Sequence, residues 1–246
     1  MGSSSTYGVL ASAAVTSATP RDISGTAGGD MGVGGATPPI GTITRTGSEV
    51  LGGASVTALS DVNTAFTDVR ASTALPVELG GTTITDGSYS GGTFGLTGTL
   101  TLDGQNGPSS VFIVRTTTTL ITAAARQVLL INGAQACNVF WQIGSSATLD
   151  ASSTTVGHLI AAVSIDTGAT TTLNGQLIAL TGAVTLGGTN ILNNSCTHTV
   201  TFLGNTSDGG ATAAQSANTA TPLTTNGFTK TGSTFSGAIW SRSVYA

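Results

Sequence analysis

Charge is what this chain most lacks. Only 7% of its 246 residues are Asp, Glu, Lys or Arg, against roughly 25% in ordinary soluble proteins. Seven basic residues leave a net charge of −4. That excludes the Lys/Arg footprint a nucleic-acid binder needs, and equally a basic face for an anionic membrane. Aromatics are 5% of the chain, and the two histidines, His158 and His198, have no neighbours at metal-ligand spacing. The acids, from Asp22 to Asp208, are scattered, and no Gly-x-Ser-x-Gly elbow has a histidine partner in view. Acid–base and nucleophilic catalysis therefore have no constellation to work from, and no enzyme and no cofactor is expected. No apolar run is long enough to cross a bilayer. Cysteine is used twice, at Cys137 and Cys196. The pair reads either as a disulfide of a secreted protein or as two buried thiols.

What the chain has instead is threonine, 46 of them, set among 39% hydrophobic residues. Five stretches carry the pattern: Leu96-Thr-Gly-Thr-Leu-Thr-Leu102, Val114-Arg-Thr-Thr-Thr-Thr-Leu120, Ile143-Gly-Ser-Ser-Ala-Thr-Leu149, Ala161-Ala-Val-Ser-Ile165 and Leu180-Thr-Gly-Ala-Val-Thr-Leu186. Side chains alternate between the faces of a strand. If the last Leu or Ile of each stretch points inward, Thr101, Thr119, Thr148, Ser164 and Thr185 point outward as one set. Such a surface of small hydroxyls and methyls is poor at chemistry and suited to a partner that is itself regular.

Residues 138–157, 158–175 and 176–192 align with one another, and the first two end on Gly157 and Gly175. A period of about 18–20 residues with strand composition is the signature of a solenoid. Each turn is expected to supply three short strands, with Gly, Asn or Asp at the corners. Val156, Leu173 and Ile191 are read as one inward column, Leu149, Ile165 and Leu186 as a second, and Phe140, Ile160 and Ile178 as belonging to a third side. Trp141 follows Phe140, so one of the two is expected to face outward. One segment breaks the period. Val56, Leu59, Val62, Phe66 and Val69 recur at steps of three and four, which predicts an amphipathic helix over about 55–71 with Ser55 as N-cap. It is expected to lie along one side and cover its apolar surface.

The domain reading is an artificial expression-tag remnant over 1–6, a mostly β solenoid domain over 7–194, and a C-terminal tail or strap over 195–246. Met1-Gly-Ser-Ser-Ser5 reads as added ahead of a mature chain whose export signal is already gone.

Several blocks then match a family in order and spacing. They are Tyr7-Gly-Val-Leu-Ala-Ser-Ala-Ala-Val-Thr-Ser-Ala18, Ile23-Ser-Gly-Thr-Ala-Gly-Gly-Asp-Met-Gly-Val33, Pro38-Pro-Ile-Gly41 and Thr64-Ala-Phe-Thr-Asp68. Gly133-Ala-Gln-Ala-Cys-Asn-Val-Phe-Trp-Gln-Ile-Gly-Ser145 and the Leu173-Asn-Gly-Gln-Leu177 corner follow. Together they resemble the microbial ice-binding (antifreeze) protein family, over about Tyr7 to Leu192. The resemblance implies a right-handed, discontinuous β-solenoid of triangular cross-section with one long α-helix packed alongside. In it the turns need not stack in sequence order, because N-terminal strands close one end. It also implies a secreted protein that acts without cofactor and whose partner is an ice crystal surface, with thermal hysteresis and inhibition of ice recrystallisation as its activities. No nucleic acid and no membrane is implied, and a monomer is expected. Two departures stand out. The family's capping insertion is replaced here by the short run Thr42-Ile-Thr-Arg-Thr-Gly-Ser-Glu-Val-Leu-Gly-Gly53, and the family's Thr-Ala/Gly-x-Thr/Asn pattern is met literally at Thr167-Gly-Ala-Thr170 but is one residue too long at Thr181-Gly-Ala-Val-Thr185.

Two candidate ice-contact faces follow. The preferred one comprises Thr97, Thr99, Thr101, Thr117, Thr119, Ser146, Thr148, Ser164, Thr181 and Thr185; the second comprises Ser153, Thr155, Thr170, Thr172 and Asn190. Arg115 and Asp166 interrupt the first. The competing reading for the threonines is plain strand propensity on a solvated face. The competing function is an adhesion or carbohydrate-binding module, which would need exposed aromatics such as Trp141 or Trp240.

Overall fold

The computed structural model describes residues 2–18, 21–67, 71–193, 198–200, 209–212, 215–217, 228–229 and 231. They fall into two compact units, Met1–Cys196 and Thr197–Ala246. In the second, His198–Val200 pairs antiparallel with Gln215–Ala217, and Gly209–Gly210 with Phe228–Thr229. Phe235, Trp240 and Tyr245 lie outside the described residues.

The first unit is a β-solenoid in which every strand pair is parallel. Its strands are short and rich in Val, Ile, Leu and Thr, residues whose branching or shape suits a pleated surface. Alternate residues fill a single continuous core that includes Val15, Phe94, Leu100, Phe112, Trp141, Ile165, Leu177 and Ile191. Three sides result. A six-stranded sheet is ordered Phe94–Leu96, Leu120–Thr122, Ala147–Leu149, Ile165–Thr167, Val184–Leu186, Val15–Ser17. A second side carries Gly87–Gly91, Phe112–Thr116, Val139–Ile143 and Tyr7–Ala11 beneath the helix. A third begins with Thr83–Thr85, Leu100–Asp103 and Val128–Ile131, and continues through Asn190–Leu192 to Arg21–Ser24 and Ile43–Arg45.

Two eight-residue strands, Thr154–Ala161 and Thr172–Ala179, belong to both the second and third sides, because each turns a corner at its glycine. Gly157 sits at φ +97°, and a Cβ on Gly175 would lie 1.9 Å from the Gly157 carbonyl oxygen. Only glycine stacked on glycine lets the two backbones approach so closely.

The coils do not stack in sequence order. Val9 pairs with Leu177, Val15 with Val184 and Ile23 with Ile191, so the N-terminal coil seats on the last repeat coil. The chain must then cross the stack to begin building from the far end, where Thr73–Ala74 pairs with Tyr89 and Ser90. The helix Gly53–Phe66 makes most of that crossing, about 21 Å at 1.5 Å per residue.

The helix starts two residues before the expected position. Gly52, at φ 63°, is the N-cap, while Ser55 lies in the first turn with its Oγ donating to the Val50 carbonyl at 2.8 Å. Leu59, Val62 and Phe66 face the sheet as expected, and the departure is at Val56. Ala58, Leu59 and Val62 pack on Tyr7, Leu10, Ile160 and Ile178, whereas Val56 is 51% exposed. Val69 lies outside the described residues.

Two of the expected inward columns need correcting. Leu173 and Ile191 are stacked as read, but Thr155, not Val156, fills the rung beside Leu173. Leu149 and Leu186 flank Thr167, while Ile165 stacks with Ala147 and Val184. Phe140, Ile160 and Ile178 all lie on the helix side as expected, Ile160 and Ile178 at one rung position and Phe140 at that of His158. The register steps by 18 residues along Thr155, Leu173 and Ile191, and by 18 then 19 along Leu149, Thr167 and Leu186; Val156 and Ile165 are apolar residues one and two positions from the true rung.

Candidate functional site

The six-stranded side presents outward residues in rows that cross the strands. Neighbouring strands lie about 4.7–4.9 Å apart, so each row is a ladder at that step. The middle row runs Gly95, Ile121, Thr148, Asp166, Thr185, Thr16. Isolated bridges extend it to Glu78 at one end and Ile40 at the other. The row before it runs Thr93, Thr119, Ser146, Ser164, Ala183, Ala14. Here the last five backbone carbonyls each accept from the amide one residue further along on a neighbouring strand: Phe94 to Thr119, Leu120 to Ser146, Ala147 to Ser164, Ile165 to Ala183 and Val184 to Ala14. Four of those six residues carry a hydroxyl. At the corner, Thr93 and Thr118 are joined Oγ1 to Oγ1 at 2.8 Å, and Thr181 Oγ1 donates to the Ala162 carbonyl at 2.6 Å. Both bonds fix rotamers of residues that β-branching already restricts.

Charge is sparse here. Asp166 is the acid within the middle row. Asp150, nearer the margin, accepts from the Ala151 amide at 2.7 Å. Glu78 closes one end of the row; its carboxylate accepts from the amides of Thr97, at 2.9 Å, and Gly80. Partial burial works against its ionised form, yet these donors hold its carboxyl below the usual carboxylate range. Among the described residues no group of three or more His, Cys, Asp or Glu could hold a metal ion.

The residues of the preferred face do not all meet. Thr119, Ser146 and Ser164 share one row, and Thr148 and Thr185 share the next. Thr97 stands at the margin, beside the Leu96–Ala123 rung, and Thr117 and Thr181 lie at the corner toward the helix side. Thr99 and Thr101 are elsewhere. Leu100–Asp103 pairs with Val128–Ile131 and Thr83–Thr85 on the third side, so Thr101 stands beside Thr83 and Leu129. Leu96 and Leu100 are both buried, but the chain turns a corner between them, and a repeat read as one strand is two strands of different sheets. Arg115 sits in Phe112–Thr116 on the helix side and does not interrupt the six-stranded one.

The second candidate face is also split. Thr172 and Asn190 are paired rungs of an outward row that begins with Gln127 and Thr154 and continues to Asp22 and Thr44. Ser153 and Thr155 instead point into the core, each 1% exposed, because Thr155 aligns with inward Leu173. Thr170 occupies the corner at φ 57°, where its hydroxyl meets Ser152 Oγ at 2.9 Å.

Two residues of the middle and adjacent rows escaped the sequence reading. Thr93 precedes the first Thr-rich stretch. Thr16 lies in the N-terminal coil, though Val15-Thr16 repeats the Val184-Thr185 dipeptide it packs beside. Trp141 is buried, with Nε1 donating to the Val156 carbonyl at 2.8 Å, and Phe140 is the outward member of the pair, stacked on His158 at 5.0 Å. Cys137 is disulfide-bonded; Cys196, the chain's other cysteine, lies outside the described residues.

Comparison with known proteins completes the picture. The sequence profile of the ice-binding-like family matches residues 9–192. An ice-binding protein of Nostoc sp. (strain HG1) is 34% identical over 206 residues, covering 80% of this chain and 74% of that protein. Ice-binding protein 1 of Shewanella frigidimarina (strain NCIMB 400) is 40% identical over 116 residues, 45% of this chain and 13% of its own length. Among solved structures, the ice-binding protein of the Antarctic ascomycete Antarctomyces psychrotrophicus is similar with a TM-score of 0.70 at 35% identity, over 78% of this chain and 96% of that one. An ice-binding protein from an Antarctic biological consortium gives a TM-score of 0.74 at 30% identity, over 78% and 89%. The profile spans the coils from the first strand to the last repeat, and the solved relatives share their fold: this chain belongs to the ice-binding-like family.

Proposed function

We propose that this protein adsorbs to ice through the outward rows of its six-stranded side, and so produces thermal hysteresis and inhibits ice recrystallisation. One observation carries the reading. The register sets Thr148, Thr185 and Thr16 in one row and Thr93, Thr119, Ser146 and Ser164 in the next. Rungs of this kind repeat at a step close to an oxygen repeat of the ice lattice. Threonine is stiff at χ1, so little rotamer entropy is lost on contact. Its methyl holds water in an ordered cage while its hydroxyl anchors that water. Each contact is weak, and adsorption needs many acting together on a rigid array.

The third side supports a second reading, because Thr154, Thr172 and Asn190 also stand in one outward row. Its neighbouring rungs are Gln127 and Asp22, and Arg45 and Glu49 form a salt bridge near its end. Those long or charged side chains are mobile and strongly hydrated, which favours the six-stranded side. An aromatic sugar platform loses its strongest member with Trp141 in the core. A monomer acting outside the cell fits the disulfide at Cys137 and the low charge.

Thr119→Tyr and Thr148→Tyr, each placing a bulky ring on the six-stranded side, test the assignment against Thr172→Tyr on the third. Thermal hysteresis should drop severalfold in the first two, with circular dichroism unchanged, and stay near wild type in the last. Full activity in folded Thr119→Tyr and Thr148→Tyr proteins would sink the assignment, and round, unfaceted ice crystals in the wild-type protein would sink ice adsorption itself.

A further inference from the structure

The middle row of the six-stranded side is broken once by a charge. Asp166 occupies the rung between Thr148 and Thr185, is exposed, and stands on a strand whose neighbours on both sides carry threonine at the same position. Most acids of the first unit serve the fold. Asp30 accepts from the Ser48 amide, Asp61 from Ser3, Asp103 from Gln105 and Asn132, Asp150 from Ala151, Glu78 from Thr97, and Glu49 pairs with Arg45. Asp166 has no hydrogen-bond or salt-bridge partner among the described residues, and its strand position is one where β-branched residues are preferred. Nothing in the packing calls for a carboxylate there.

Its consequence is at the surface. A carboxylate binds water strongly, and stripping or reordering that water is costly. With Asp166 in place, hydroxyl rungs on the middle row occur as a single one, Thr148, and a pair, Thr185 and Thr16. Threonine at 166 would join them into four consecutive rungs. We infer that Asp166 is an activity-limiting residue, which holds adsorption below what the threonine ladder of this side allows. The inference rests on the six-stranded side being the ice-contact surface. The third side supplies a matched control, because Asp22 interrupts its outward row between Asn190 and Thr44 in the same way.

The test measures thermal hysteresis at equal concentration for wild type, Asp166→Thr, Asp166→Asn, Asp22→Thr and Thr148→Tyr, with circular dichroism and thermal unfolding to confirm each fold. Asp166→Thr should raise hysteresis about twofold or more, since a joined array binds more tightly than its separated parts. Asp166→Asn, which removes charge at constant size, should give a smaller rise, and Asp22→Thr should leave the value unchanged. Folded Asp166→Thr and Asp166→Asn proteins with hysteresis at or below wild type would overturn the inference if Thr148→Tyr has lost activity. The failure of the underlying reading looks different: Thr148→Tyr keeps full activity, and any gain comes from Asp22→Thr.

Discussion

Lowering the pH from 7 to 4 should remove about 3 kcal/mol of this protein's stability through one side chain, His158. The ring is 7% exposed on the helix-side sheet. It stacks on Phe140, aligns with Gln176 on the next strand, and its Nε2 lies 3.1 Å from the Cys137 carbonyl, to which it donates in the neutral form. Burial pushes its pKa down from 6.5 to about 4; the Cys137 carbonyl and the Gln176 side chain favour the charged ring, but by less than burial opposes it. The sign follows from the order of protonation. Above pH 6.5 the ring is neutral in both states and costs nothing. As the pH falls below 6.5 the unfolded chain takes up the proton first, so stability falls until the folded ring is protonated too, near pH 4. With about 1.4 kcal/mol for each pH unit of difference, the loss is about 2 kcal/mol by pH 5 and about 3 below pH 4. Against a typical total of about 5–15 kcal/mol, this is a large share. Asp61 and Glu78, both held below the usual carboxylate range, weaken the fold only at lower pH, as they protonate, so the interval from pH 7 to 5 isolates the histidine. Urea unfolding across that interval measures the loss. His158→Gln, which places on this strand the residue already present one rung along, should flatten the profile. Equal slopes in wild type and variant, or no slope in either, would refute the reasoning.

Three other perturbations test the architecture and the site. Gly175→Ala would press a Cβ against the Gly157 carbonyl and should lower stability by at least about 2 kcal/mol or prevent folding, read as loss of the thermal transition. Trp141→Phe removes both ring volume and the hydrogen bond to Val156, and should cost about 2–4 kcal/mol in urea unfolding. Thr16→Tyr, on the N-terminal coil, should reduce thermal hysteresis like Thr148→Tyr although the two are far apart in sequence, because Thr185 links them in one row; an unaltered hysteresis would separate that coil from the contact surface.

Strand existence and parity were legible in the sequence wherever alternation ran unbroken. Leu100, Leu102, Leu120, Ala147, Leu149, Ile165, Val184 and Leu186 alternate with polar residues, and all are buried. The helix was legible as a break in that period, with Leu59, Val62 and Phe66 on its inner face, but the facing of its first turn was not. Val56 fits the apolar spacing as well as Ala58 does, and only the seat on Leu10 and Ile178 decides between them. Within the candidate site, Thr148 and Thr185 were recognisable because their strands carry one threonine between two inward residues. Thr99 and Thr101 were misplaced for a physical reason: alternation continues across a solenoid corner, so it reports which residues face inward but not which side of the solenoid they are on.

What the sequence by itself determined is therefore local: low charge, the strand period, the inward and outward sets, the glycine corners and the family. Neighbourhood was decided only by the tertiary structure. Thr16 stands beside Thr185 because the N-terminal coil seats on the last repeat, and Asp166 divides a threonine row because three separate strands lie in register. Backbone pairing between coils fixes those alignments, and its hydrogen bonds are made by groups that every residue shares. The side-chain sequence consequently carries little record of which rung lies next to which.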